Sequence, residues 1–87
     1  PDHPATATSL TNLASLLYAK SDLAGARPLL ERALAITERV LGPDHPATAT
    51  SLNNLAGLLW AQDDLAGARP LYERASIIRD KIYRSID

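Results

Sequence analysis

Ten residues, Pro1-Asp2-His3-Pro4-Ala5-Thr6-Ala7-Thr8-Ser9-Leu10, return unchanged as Pro43-Asp44-His45-Pro46-Ala47-Thr48-Ala49-Thr50-Ser51-Leu52, and about two-thirds of the positions in 1–42 match their counterparts in 43–84. A period of 42 residues marks supersecondary units that stack, because one such unit cannot bury its apolar face alone. Two units are expected, 1–42 and 43–87, with the last segment, about 76–87, set apart by divergence between the copies. An architecture of this kind presents an extended face for binding and rarely carries chemistry.

The apolar spacing within each unit is helical. Leu10, Leu13, Ala14 and Leu17 fall at i, i+3, i+4 and i+7, and Leu52, Leu55, Ala56 and Leu59 repeat them; this is one stripe on a helix and not strand alternation. The first helix is expected at about Pro4–Lys20 and its copy at about Pro46–Gln62, with proline in the first turn, where its missing N–H costs nothing. Asp2 and Asp44 lie just upstream, at the positive end of the helix dipole. Ser21-Asp22 and Asp63-Asp64 interrupt the pattern with side chains suited to N-capping.

A second helix follows at about Leu23–Leu41, with Ala26, Leu29, Leu30, Ala33, Ile36 and Val40 as its stripe; the copy carries Ala68, Leu71, Tyr72, Ala75, Ile78 and Ile82. Small residues at Ala14, Ala26, Ala33, Ala56, Ala68 and Ala75 permit close helix approach. Gly42-Pro43 stops the second helix, glycine being free to take positive φ and proline unable to continue. Pro28 and Pro70 conflict with this scheme. Each falls where an i−4 bond would form, and a bend near the helix start is favoured over a later start at Arg27 and Arg69, since Ala24 and Ala26 already read as helix. The expected fold is all-α: two tandem helical hairpins, four antiparallel helices.

The quoted positions resemble the tetratricopeptide repeat. Leu-Ala, Leu three later, Ala nine later, a large residue four on and Ala three on is that family's spacing, and here it reads Leu13-Ala14, Leu17, Ala26, Leu30, Ala33 and Leu55-Ala56, Leu59, Ala68, Tyr72, Ala75. The usual leading Trp is Leu10 and Leu52, and Glu38 and Asp80 stand in place of the late Pro. The period of 42 exceeds the common ~34; the extra residues lie in a longer second helix and in the Leu-Gly-Pro-Asp-His-Pro connection. This longer form is similar to the repeats of kinesin light chains and many bacterial multi-repeat proteins, most of all at Ser51-Leu52-Asn53-Asn54-Leu55-Ala56. The resemblance implies an α-solenoid with right-handed superhelical stacking, a cytoplasmic protein-binding scaffold, no enzyme and no cofactor.

It also implies where a ligand lies. The first helix of each pair has a second stripe away from the core: Thr8, Thr11, Asn12, Ser15 and Tyr18, then Thr50, Asn53, Asn54, Gly57 and Trp60. In the family this face lines the concave groove for extended peptides. Asn offers donor and acceptor to a peptide backbone of any sequence, Ser15 and Gly57 leave room, and Tyr18 and Trp60 offer apolar platforms with a polar edge. The structural alternatives stay open: Asn12 and Asn54 fixing the stacking register between helices, and the two aromatics packing at the hairpin rim. One variant of the family grips a C-terminal carboxylate with Lys, Arg and Asn. Asn12 and Asn54 sit at an Asn position of that clamp, but Thr11 and Asn53 replace its lysine, so no binding of that kind is expected.

Other chemistry finds little support. With no Cys there is no disulfide or thiolate metal site, and a net charge of -1 gives no general pull on nucleic acid or anionic membranes. Apolar runs such as Leu16 to Ala19 are too short to span a bilayer. His3 and His45 lack ligand spacing and read as helix-entry residues, with no metal expected. No phosphate loop is present, and the Ser and Thr residues have no evident base. Arg27/Glu31 and Arg69/Glu73 are i,i+4 pairs on a solvated face. The basic run Arg79, Lys81, Arg84 is interrupted by Asp80 and Asp87, which suits a helix C-terminus better than a nucleic-acid surface.

The two ends differ in kind. Leu34 becomes Ser76, Thr37 becomes Arg79 and Leu41-Gly42 becomes Tyr83-Arg84, polar changes that suit a capping helix at 76–87. Pro1 opens in register, as if cut from a longer array, so the first helix is expected to expose an apolar flank that includes Leu16. Two units are fewer than the usual ~three needed for stability, and self-association through that flank follows, head to tail or as a closed dimer. Three functional readings result: a module holding an extended peptide or partner helix in its concave groove, a structural, self-assembling repeat with no ligand of its own, or an accessory region of an enzyme whose catalysis sits on a neighbouring domain.

Overall fold

A computed structural model describes residues 3–86; Asp2, expected at the positive end of the first helix, and Asp87, expected to interrupt the basic run, lie outside the described residues. Four helices follow one another: α1 (Pro4–Ala19), α2 (Leu23–Leu41), α3 (Pro46–Ala61) and α4 (Leu65–Ile86). Each boundary has a local cause. His3 and His45 cap α1 and α3, their Nδ1 atoms accepting from the backbone N–H of Ala5 and Ala47 at 3.0 Å, with Pro4 and Pro46 opening the first turn. Asp44 is not the cap; its carboxylate takes Lys81 Nζ at 3.2 Å instead.

The turns inside the hairpins divide the work between two residues. Ser21 and Asp63 adopt a left-handed φ of 64°. Their N–H groups reach back to the carbonyls of Tyr18 and Trp60 at 2.9 Å, while those of Asp22 and Asp64 reach Leu17 and Leu59 at 2.8 Å. This 6→1 and 5→2 closure satisfies the orphan carbonyls at the helix end. Asp22 and Asp64 then start the next helix, each Oδ1 accepting from Gly25 N at 3.0 Å and Gly67 N at 2.9 Å. Ser21 and Asp63 therefore end helices and do not begin them, a correction to the expected pair of N-caps. The two carboxylates sit so close that a Cβ on Gly67 would meet Asp64 Oδ2 at 2.6 Å, with the same crowding at Gly25.

Helices α2 and α4 run unbroken through Pro28 and Pro70, so the later start does not occur. Gly42 ends α2 at φ 100°, ψ 162°, a region that only glycine adopts cheaply. Its carbonyl accepts from the fully buried Thr48 hydroxyl at 2.7 Å, which pins the connection onto the start of α3.

α1 packs on α2 and α3 on α4, and α2 joins the two hairpins by packing on α3. The chain measures 41 × 30 × 17 Å. All six small residues of the seams are buried at 0–1 % exposure, so the helices approach at alanine distance. A central cluster of Ala14, Ala26, Leu30, Leu55, Ala56, Leu58, Leu59 and Ala68 is flanked by Ala49, Leu52, Ala75 and Ile78 on one side and by Ala7, Ala33 and Ile36 on another.

Three stripe residues, Leu13, Val40 and Tyr72, are exposed, as is Leu16 beside them. Leu13 is 47 % exposed and Leu16 is 61 % exposed, whereas their counterparts Leu55 and Leu58 are at 6 % and 0 %. The difference is one of cover: α2 lies against α3, and no helix among the described residues lies on the matching side of α1. Val40 is exposed in the last turn of α2, where Leu41 is the half-buried residue. Tyr72 is exposed too, its hydroxyl lying 3.8 Å from the point where a Cβ on Gly57 would stand.

Candidate functional site

Helices α1 and α3 carry the second stripe along one side of the molecule, and their side chains border two adjoining depressions. The first, about 280 Å³, is lined by Thr11, Ser15, Tyr18, Asn53, Asn54 and Gly57 over a floor of Ala14, Leu30 and Leu58. The second, about 320 Å³, has Thr8, Thr11 and Asn12 on one wall, Thr50, Ser51 and Asn54 on the other, and Thr37 and Leu41 of α2 among its lining. Nine of the ten residues singled out in the sequence border these hollows; Trp60, 61 % exposed, borders neither.

Hydrogen bonding sorts the polar groups of this face. Thr8, Thr11, Ser15 and Thr50 donate to carbonyls one turn back, those of Pro4, Ala7, Thr11 and Pro46, at 2.9–3.3 Å. Their single O–H is thereby used, and they offer only acceptor lone pairs outward. Asn12 and Asn54 make no hydrogen bond to the described residues. Asn53 differs: with its amide oriented so that oxygen meets donor, the carbonyl accepts from both terminal nitrogens of Arg79, from Nη1 at 2.8 Å. The free donors of the face thus include the asparagine amides and the Tyr18 hydroxyl, and neither depression is lined by a charged side chain.

Charge is gathered elsewhere. Arg27–Glu31 at 3.7 Å and Arg69–Glu73 at 3.0 Å pair along their own helices as expected. Arg74 crosses from α4 to Glu38 of α2 at 3.0 Å, and the hydrogen bond to Glu38, opposed by desolvation, raises the guanidinium pKa. Of the C-terminal basic run, Lys81 is engaged by Asp44 and Arg84 by Asp80 at 3.1 Å. The described residues contain no cluster of three or more His, Asp or Glu able to hold a metal, and no helix among them is long and apolar enough to cross a membrane. Sequence reasoning missed the Thr37–Ser51 hydroxyl contact at 3.4 Å between α2 and α3, for which the only signal was a repeated Thr-Ser pattern with no partner evident until the hairpins stack.

Short antiparallel helices joined by tight turns, alanine at every seam and one polar face carried on alternate helices define an all-α helical-hairpin repeat protein. The tetratricopeptide repeat family model matches residues 5–81. The chain belongs to the tetratricopeptide repeat family, whose repeats generally mediate protein–protein interaction and are typically non-enzymatic scaffolds. No curated protein matches the chain.

Proposed function

We propose that this chain is a protein–protein interaction module that holds an extended peptide, or the exposed edge of a partner helix, along the face formed by α1 and α3. The observation that carries the reading is the pair of uncommitted amides, Asn12 and Asn54, at the depressions between these helices. An amide locking the helix register would bond to a neighbouring helix, and neither does. An extended peptide has unpaired N–H and C=O groups along its length, which an amide can satisfy irrespective of side chain. Tyr18 and Trp60, both exposed, supply amphipathic surface with few rotamers to freeze. The 42-residue period and the 19 residues of α2 against 16 in α1 support assigning the repeats, 1–42 and 43–87, to the long kinesin-light-chain-like type.

The test is selection of linear peptides from a randomised displayed library on the purified chain, followed by binding measurements on the Asn12→Ala/Asn54→Ala double variant. An unchanged melting temperature with at least a roughly tenfold loss of affinity, the scale of one or two lost hydrogen bonds, supports the groove. Loss of folding in the double variant assigns the amides a structural role, and failure of the parent chain to select any peptide ends the proposal.

A second reading rests on a separate observation, the exposure of Leu13 and Leu16 where Leu55 and Leu58 are covered. Here the chain associates with itself through the α1 flank, and the repeats form a scaffold.

A further inference from the structure

Arg32 has no ion pair among the described residues. Its counterpart one period later, Arg74, reaches back from α4 to Glu38 of α2 at 3.0 Å, a contact that crosses from the second unit into the first. The difference is positional. Arg74 finds its carboxylate on the second helix of the unit before it, and no helix among the described residues precedes the unit of Arg32. Leu13 and Leu16 of α1 are uncovered for the same reason. A cation and an apolar flank thus lack partners at the same end of the molecule.

The opposite end carries what they lack. One period after Glu38 stands Asp80, on α4. It holds Arg84 in an i,i+4 pair at 3.1 Å, with the aspartate side chain 59 % exposed. Such a surface pair is weak, and a carboxylate has acceptor sites for a second guanidinium. The apolar match is similar. Leu30 of α2 shares the central cluster with Leu55, Leu58 and Leu59 of α3. Its counterpart on α4 is Tyr72, and that of Leu41 is Tyr83; both tyrosines are exposed. α4 therefore offers aromatic surface where α2 offers leucine.

We infer that copies of this chain stack head to tail, the outer side of α4 in one copy covering the α1 flank of the next, with Asp80 of the first copy paired to Arg32 of the second. The inference rests on the self-association reading and gives it a partner face and a direction. The joint repeats the seam inside the chain: Leu13 and Leu16 take the places of Leu55 and Leu58, and Asp80–Arg32 takes that of Glu38–Arg74. A two-fold joint of α1 on α1 lacks this match, because α1 contains no acidic residue and Asp80 lies on α4. The two mated surfaces differ, so each added copy presents a fresh one and the contact does not close on itself. Ser76 stands at the register of Leu34. The joint therefore forgoes one leucine and is weaker than the internal seam, a reversible contact set by concentration.

The experiment is sedimentation of the purified chain over about a hundredfold range of concentration, beside Arg32→Glu, Asp80→Arg and an equal mixture of the two variants. Both positions are exposed, so each variant is expected to keep the helix content of the parent. The expected result is a parent whose average mass climbs past that of a dimer, about fivefold weaker association of each variant alone, and recovery in the mixture, where opposite charges again meet at every joint between unlike copies. A parent that stops at a dimer, variants that associate as the parent does, or a mixture that fails to recover overturns the head-to-tail joint and leaves self-association standing. A parent of monomer mass throughout overturns both. The climb past a dimer is read on the parent alone, so a misfolded variant does not rescue the inference.

Discussion

Gly42 holds a backbone conformation at φ 100° and ψ 162° that a side chain strains whatever space surrounds it. Gly42→Ala is expected to destabilise the chain by about 1–3 kcal/mol, seen as a lower urea midpoint at unchanged slope; a parent midpoint would mean that the connection relaxes freely. Gly57 is the opposite case. A Cβ there would stand 3.8 Å from the Tyr72 hydroxyl, ordinary contact distance, so Gly57→Ala should stabilise α3 by about 0.5–1 kcal/mol while narrowing the first depression. Higher melting temperature together with weaker peptide capture would separate fold from function at one residue; unchanged capture would place the ligand elsewhere. Gly42 was legible in the sequence because Gly-Pro stops helices by a local rule. Thr48 was not: its hydroxyl closes on a carbonyl six residues back, and the same Ala-Thr-Ala-Thr phrase also supplies the exposed Thr50.

At the level of the element, the limits of α1, α2 and α3 were readable to within a residue, because proline, aspartate and glycine act on the chain next to them. The division of labour inside Ser21-Asp22 and Asp63-Asp64 was not readable, since both residue types favour N-caps and only the left-handed φ of the first member shows that it ends the helix before it. Two variants follow from that geometry. Asp64→Ala removes the acceptor of the Gly67 N–H and should cost about 1 kcal/mol, whereas Ser21→Gly relieves the left-handed strain and should stabilise by up to about 1 kcal/mol. Both are read by thermal melts, and a destabilised Ser21→Gly would show that the serine side chain contributes more than its backbone strain removes. Leu13 and Val40 mark the limit of periodicity as a guide: a stripe states which side of a helix is apolar, while the neighbour that covers it belongs to the stacking of hairpins.

For the whole molecule, the uncovered flank of α1 predicts association. The melting temperature should rise with protein concentration, and Leu16→Glu should flatten that rise while leaving the helix content intact, since Leu16 is exposed in the single chain. A melting temperature constant over about a hundredfold dilution would exclude self-association as a source of stability. The Asn12–Asn54 face was located from the spacing of the first helices. The Arg79–Asn53 contact was not, because it joins residues on different helices and Arg79 reads in sequence as one of a basic run. Leu34 has a different reach. It packs against both the central cluster and the Ala49–Leu52–Ala75–Ile78 cluster, at a register where the second unit has the exposed Ser76. With the central cluster shared by both hairpins and the Arg74–Glu38 pair, Leu34 rivets the two halves together, so heat or force should dismantle them in a single cooperative step. Leu34→Ser, by copying the later unit into the earlier one, should loosen that coupling and broaden the transition.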